Sequence, residues 1–466
     1  MPVPEQNKAV PPVWETNDMD SRGLEALAYA YALQAYLFAY PLFISERERL
    51  RREGLTAPLP YEPAAPINQL GHMTMLSTAK GDMPFSPNID TVYTGVTLDL
   101  GKEPIILDLP AIKDRYAVVQ VVNAYVENQP YLYSPRTNGC ERTSIAFVGP
   151  DWIGDLPEGI KEARLDTNLA GIAIRIAAKD EADLVIVRGY QSQMSLTALS
   201  DWNDGPSELP PPPPPLRHRN TYEGDFAWFR QAADLLSDNP PPHKHKAIRT
   251  TLWRIGIVPG RPFDPDALDP ATRRGILRAE QDGSAMIEHL FRNRGRKFPN
   301  GWDAARYSPD FVFDYAARAA AALVGLVGND PDEALYLYTY FDADGDALDG
   351  SKRYRIHIPA DRIPATNENG FWSVTMYDGR TFQFVDNPIN RYGIGSRDDL
   401  AINSDGSIDI WIQADRPDAT RATNWLPSPK GGAFRVTFRI YSPLPGLVKD
   451  FYALTLALPP VEKADS

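Results

Sequence analysis

Cysteine is nearly missing from this chain. Cys140 stands alone among 466 residues, so no intrachain disulfide and no cysteine-built metal cluster can form. Histidine is scarce as well, at six. Basic charge is outweighed: the net charge of −13 lacks the positive footprint that non-specific nucleic-acid binding needs, so no nucleic-acid partner is expected. No basic segment leads into an apolar core at the N-terminus, which gives no signal peptide and a cytoplasmic expectation. Long charge-free apolar runs are missing too. Leu24 to Phe43 is the nearest approach, but it carries Glu25, Gln34 and Pro41, so a buried helix starting near Asp20 or Ser21 and ended by Pro41 is expected, and no membrane contact.

The familiar catalytic signatures are equally lacking. There is no G-x-S-x-G elbow, no phosphate-binding loop and no H-E-x-x-H pair. GIGSRD at Gly393 lacks a third glycine and a strand-to-helix setting, which disfavours dinucleotide binding. The acidic stretch Asp342 to Gly350 has Ala347 and Arg353 where a calcium loop starting at Asp342 needs Gly and Glu. A turn between strands is the expectation there, with no required metal and no bound cofactor.

Proline, in contrast, is abundant, at 44 residues, and favours strands joined by rigid turns. The stretch from Gly370 to Pro443 shows the pattern most clearly. Ile408, Ile410 and Ile412 alternate with Asp409, Trp411 and Gln413. Phe434, Val436, Phe438 and Ile440 alternate with Arg435, Thr437, Arg439 and Tyr441. Period-two alternation is the mark of an antiparallel strand with one face buried and one wet. Earlier in the chain, Val92, Val96, Leu98 and Leu100 share a parity behind a Pro87-Asn88 turn, and RYAVVQVVNAY, apolar on both parities, has the look of a central strand. EPIILDLP, SIAFVGP and AGIAIRIAA add further strands, whereas Asp180 to Leu199 mixes strand and helix signals and is taken as a helix.

The proline run in residues 203–220 can join neither helix nor ladder and marks a stiff linker. After it the period turns helical: Phe226 to Leu236, Lys244 to Ile255, a helix capped by Asp269-Pro270 to about Phe291, and one opened by Ser308-Pro309 toward Gly328. Strands resume at Ala334. The expected organisation is a flexible N-terminus (1–22), a β-rich domain with a leading helix (23–202), the linker (203–220), a helical segment (221–330) and a C-terminal β-sandwich-like domain (331–460). The fold class is multidomain α+β, with two mainly antiparallel β-sandwich-like modules and a helical segment between them.

LAYAYALQAYLFAYPLF, SPNIDTVYTGVTLDL, RYAVVQVVNAY and FVGPDW resemble the N-terminal half of a bacterial family, domain of unknown function 1254. FDADGDALDGSKRYRIHIP, FWSVTMYDGR, NPINRYGIGSR, DGSIDIWIQADRP and NWLPSPKGGAFRVTFRIYSP resemble its usual companion, domain of unknown function 1214. The resemblance runs from about Leu24 almost to the end and implies a multidomain β-rich fold. It supplies no settled reaction.

Candidate functional residues come from parity. Asn88 and Asp90 continue the parity of the apolar residues Val92 and Val96. A polar pair on a buried face must be satisfied by hydrogen bonds or used by a ligand. Asp90 can serve as a general base oriented by Asn88, or the pair can form an Asx-turn at the strand entry. His72, just upstream, is a further catalytic candidate. The other histidines favour bland roles: His243 and His245 (HKH) an exposed loop, His357 a solvated strand face. In the second half, Arg391 can bind a carboxylate, with Tyr392, Asn424 and Trp425 beside it and Tyr93 and Tyr125 as further aromatic walls. Equally, Arg391 and Trp425 can staple loops to the sandwich edge. The sequence thus leads to a cofactor-independent enzyme acting on a small organic molecule, by hydrolysis, elimination or isomerisation, in a pocket between the β domains. A non-catalytic binder of carbohydrate or small molecules and a structural or assembly module stay open, as does a homo-oligomer.

Overall fold

The computed structural model describes residues 18–80, 86–202, 220–305, 311, 313–323 and 328–464. The chain opens with helix α1 (Asp18–Glu53). It runs through Pro41 rather than stopping there. Proline removes one backbone hydrogen bond, at a cost of roughly 3 kcal/mol in a helix interior. Burial of Ala32, Ala35, Phe38, Ala39 and Leu42 around it offsets that cost.

The first module contains β1 (Gly71–His72), β2 (Thr91–Asp99), β3 (Ile105–Leu109), β4 (Ala117–Asn123), β5 (Thr143–Val148), β6 (Lys161–Arg164), β7 (Leu169–Ala177), α2 (Leu184–Gln191), β8 (Ser195–Ala198) and α3 (Leu199–Trp202). Two sheets, ordered β1-β2-β7-β4 and β6-β5-β3-β8, face each other. Their core takes the even residues of β2 and β7 and the odd residues of β3, β4 and β5, among them Val92, Val96, Ile105, Val119, Phe147 and Ile174. β4 is at the edge of its sheet, not the centre; it is apolar on both parities because other elements cover its outer face. Asp180 to Leu199 divides between the short α2 and β8 instead of forming one helix. The proline run up to residue 219 lies outside the described residues.

The helical segment holds α4 (Ala227–Asp238), α5 (Ile248–Arg254), α6 (Pro270–Arg292), β9 (Arg296–Lys297), β10 (Asp303–Ala304) and α7 (Tyr315–Ala322). Asp269 caps α6 as its type predicts, its carboxylate accepting from the backbone of Ala271 and Thr272. Ser308 and Pro309 lie outside the described residues, and α7 begins instead behind the cap of Asp314. α1 packs against α4, α5, α6 and α7. By length and composition α1 would suffice to cross a membrane; here half of its apolar stretch is covered by those helices.

The last module contains β11 (Ala334–Thr339), β12 (Tyr354–Ile358), β13 (Thr366–Asp378), β14 (Gly393–Gly395), β15 (Ile408–Gln413), β16 (Trp425–Pro427), β17 (Phe434–Pro443), α8 (Pro445–Tyr452) and β18 (Val461–Lys463). The sheets run β14-β13-β17-β11-β10-β9 and β16-β15-β12-β18. Pairing throughout both modules is antiparallel except β5 with β6 and β15 with β16. Leu337, Ile356, Val374, Ile410, Val436 and Phe438 meet between the two sheets. The acidic loop at Asp342 is a turn: the Asp342 carboxylate accepts from the backbone of Asp344 and Asp346, and the Lys463 ammonium lies 3.4, 3.0 and 2.6 Å from Asp342, Asp344 and Asp346.

β17 was expected to be wet on its Arg435, Thr437, Arg439 and Tyr441 face, yet all ten of its residues are buried. The reason is a third layer. The outer face of the β1-β2-β7-β4 sheet packs on the outer face of the β13-β17-β11 sheet, with Tyr116, Val118 and Ala177 against Ala334, Phe371 and Tyr441.

Candidate functional site between the two sandwiches

Where these two outer faces meet, the sequence supplies hydroxyls, amides and guanidiniums rather than hydrocarbon. The segment Ser86 to Asp90 is the bridge. The Pro87 carbonyl accepts from the Tyr377 hydroxyl at 2.6 Å. The Asn88 amide donates to the hydroxyls of Thr91, Tyr93 and Tyr441, at 3.1, 3.1 and 3.0 Å. Its carbonyl accepts from the Asp90 backbone at 2.7 Å, which is the Asx-turn anticipated from the sequence. That turn rotates the chain before β2 starts at Thr91, so parity does not carry back to Asp90. Asp90 points away from the core that Val92 enters and into the second module. There its Oδ2 accepts from Ser373 Oγ at 2.7 Å and Tyr441 Oη at 3.2 Å. Arg397, in the GIGSRD segment, donates to the backbone carbonyls of Asp90 and Ala178 and holds a guanidinium nitrogen 3.6 Å from Asp90 Oδ1.

Around this buried carboxylate, 3% exposed, stand cations that have no carboxylate within ion-pair distance among the described residues. Arg175 donates to Gln120 Oε1 (2.6 Å) and Asn329 Oδ1 (3.1 Å) and lies 5.1 Å over the Tyr93 ring. Arg439 donates to Thr375 Oγ1 (2.6 Å) and Tyr377 Oη (2.5 Å), with the Asp90 charge favouring it from further away. Burial pushes the Tyr93 phenol up, but the Arg175 guanidinium and the hydrogen bonds of Asn88, Arg175 and Thr91 outweigh it and hold Tyr93 below the usual tyrosine range. Tyr441, buried and beside Asp90, is held far above that range.

The structure brings together Asn88, Asp90 and Tyr93 from the sequence-derived set, packs Tyr392 with Tyr377 and Ile89 on the flank of the same bridge, and leaves the others apart. His72 lies on the opposite side of β2: its Nδ1 is 2.8 Å from Thr94 Oγ1, and burial pushes its imidazole down. Arg391 donates to the carbonyls of Thr423 and Trp425, Asn424 ties Ala401 to Asp409, and Trp425 donates to the Gln413 carbonyl. These three staple loops to the sandwich. Tyr392 stacks on Phe384 at 4.9 Å.

Tyr125 belongs to another buried cluster, between the helices and the first module. Its hydroxyl donates to the Asn239 carbonyl at 2.6 Å. Next to it Glu127 pairs with Arg318 (2.7 Å), His245 (2.7 Å) and Lys244 (2.9 Å), and Lys244 reaches Asp166 at 2.8 Å. His245 is therefore not in an exposed loop: a short 3₁₀ turn over His243–His245 drives it inward, 1% exposed, because Glu127 awaits it. This cluster pairs its charges and joins layers. A cavity of about 130 Å³ lies elsewhere again, inside the first sandwich between Val119, Val121, Ile145, Phe147 and Leu165, and its lining includes none of the residues named from the sequence.

The fold and this polar contact define a protein of two β-sandwich modules, braced by helices, that meet through hydrogen-bonding sheet faces. Residues 67–198 match the family described as protein of unknown function (DUF1254), and residues 333–445 match protein of unknown function (DUF1214). The chain carries both domains, in the order its motifs imply. A comparison with curated proteins finds no match. Among solved structures, the VPA0106 protein from Vibrio parahaemolyticus is similar over 94% of this chain and 100% of its own, at 23% identity and a TM-score of 0.70. An uncharacterized protein from Burkholderia cenocepacia covers 95% of this chain and 97% of its own at 13% identity, with a TM-score of 0.42. The first likeness is one of fold.

Proposed function

We propose that the chain is a cofactor-independent enzyme that moves a proton on a small organic molecule, by hydrolysis, elimination or isomerisation, where the two sandwiches meet. The observation that carries this reading is the buried Asp90 carboxylate, held by hydroxyls of the other module, near Arg175 and Arg439, which have no carboxylate within ion-pair distance among the described residues. Burying Asp90 with only the long 3.6 Å approach of Arg397, and Arg175 and Arg439 with neutral partners, is costly, and functional sites are where proteins retain such costs. Oδ2 of Asp90 is occupied by Ser373 and Tyr441. Oδ1 has lone pairs to spare and is the atom assigned to take the proton. Asn88 orients the segment, and Tyr93, more acidic than a free tyrosine, is suited to return a proton.

The test is consumption of compounds from a complex metabolite extract, followed by mass spectrometry, for wild type and Asp90→Asn, with thermal melting of both. The expected result is a compound consumed by wild type and left intact by Asp90→Asn, whose melting temperature is unchanged or higher. Equal consumption by the two proteins, or none by wild type, would overturn the enzymatic reading, and the second outcome favours a protein that binds without chemistry.

A further inference from the structure

Alternating residues of one strand lie about 7 Å apart on the same face. On β17 that row is Arg435, Thr437 and Arg439, which are 4%, 6% and 5% exposed. Arg435 Nη2 donates to Ser86 Oγ at 2.6 Å, but its Nε is buried with no hydrogen-bond partner among the described residues. Thr437 Oγ1, on the residue between the two arginines along the strand, is likewise buried and unpartnered among the described residues. Two always-charged groups and two unused polar atoms on one short row are expensive to bury, and a bound oxyanion would satisfy all of them at once. Beside Arg435, Tyr338, Tyr340 and Phe382 are half-buried and offer ring faces to its guanidinium.

We propose that Arg435, Thr437 and Arg439 form the subsite for the acidic group, a carboxylate or a phosphate, of the molecule on which Asp90 acts. This deepens the function proposed above and rests on it for the word "acts"; the binding itself does not. Register sets the size of the ligand. Ser373 lies opposite Arg439 in the ladder and holds Asp90, whereas Thr437 pairs with Thr375, two residues further along. An acidic group at Thr437 therefore sits roughly 7 Å along the sheet from the position whose side chain holds Asp90. That scale suits an aromatic acid or a short-chain organic acid.

The experiment is thermal melting of the full chain at fixed ionic strength, titrated separately with sodium benzoate and sodium phosphate against a chloride control. Wild type, Thr437→Val, Arg439→Met and Asp90→Asn are compared. The expected result is a saturable rise with one of the two anions, which identifies carboxylate or phosphate as the preferred group. That affinity should weaken roughly tenfold or more in Arg439→Met and measurably in Thr437→Val, a near-isosteric change that keeps the fold testable if the arginine variant does not fold. Asp90→Asn should still bind. No saturable rise with either anion, or the same rise in wild type and Thr437→Val, would overturn the subsite. Saturable binding together with normal turnover by Asp90→Asn would leave the subsite standing and remove the enzymatic role of Asp90.

Discussion

Glu127 shows how a single residue can be charged, buried and still stabilising. Burial pushes its carboxyl up, but the His245 hydrogen bond and the charges of Arg318 and Lys244 outweigh it and hold it well below the usual carboxylate range. The sign follows from that direction. A carboxyl depressed in the folded state contributes stability above the unfolded value of about 4.3, and loses it as pH falls from there through the folded value. Glu127→Gln leaves Arg318 buried without its counter-charge and should cost about 3–5 kcal/mol at pH 7. Urea unfolding at pH 7 and near pH 3.5 checks this, because the gap between wild type and variant should narrow in acid. An equal gap at both values would mean that the pairing is not the source. Nothing in HKH betrays this role in the sequence, since a histidine's environment is set by what lies across from it, here a residue more than a hundred positions away. Asn88 is more legible, because an Asx-turn is closed by its own neighbours.

Elements repeat the lesson with different physics. The alternation in β17 and β13 is plain in the sequence, and the apolar parity does enter the core. What alternation cannot reveal is whether the polar parity meets water or a second sheet. Arg435, Thr437, Arg439 and Tyr441 would look the same in either case. The length of α1 is hidden for a similar reason, as Pro41 is tolerated only because packing offsets it. Contact between α1 and α6 depends on a glycine. A Cβ on Gly275 would lie 2.5 Å from the Glu25 carbonyl oxygen and 2.8 Å from Ala28 Cβ. In an exposed helix Gly→Ala gains up to about 1 kcal/mol. Here Gly275→Ala should instead lose about 1–3 kcal/mol through overpacking against backbone that cannot yield. Denaturant titration of the variant decides it, and any gain in stability would show that the two helices pack less closely than described.

At the scale of the whole molecule, the two modules are each recognisable from sequence, with their order and the helices between them, because each repeats a local pattern many times. The site is not, because it exists only when sheet faces from both modules meet. Asp90 is found by its parity with Val92 although that parity misplaces it, and Arg175 and Arg439 pass for members of solvated strand faces. Arg175, Arg435 and Arg439, none with a carboxylate within ion-pair distance among the described residues, concentrate positive potential at one internal contact of an acidic protein, where a small anion can be drawn in. The most direct measurement of that claim is equilibrium dialysis of a mixed pool of organic acids and phosphorylated metabolites against wild type and Thr437→Val, with each chamber read by mass spectrometry. At least one anion should be enriched with wild type and be measurably less enriched with Thr437→Val. Enrichment of nothing, or of the same compounds to the same extent by both proteins, would contradict the assignment of function to the contact between the sandwiches.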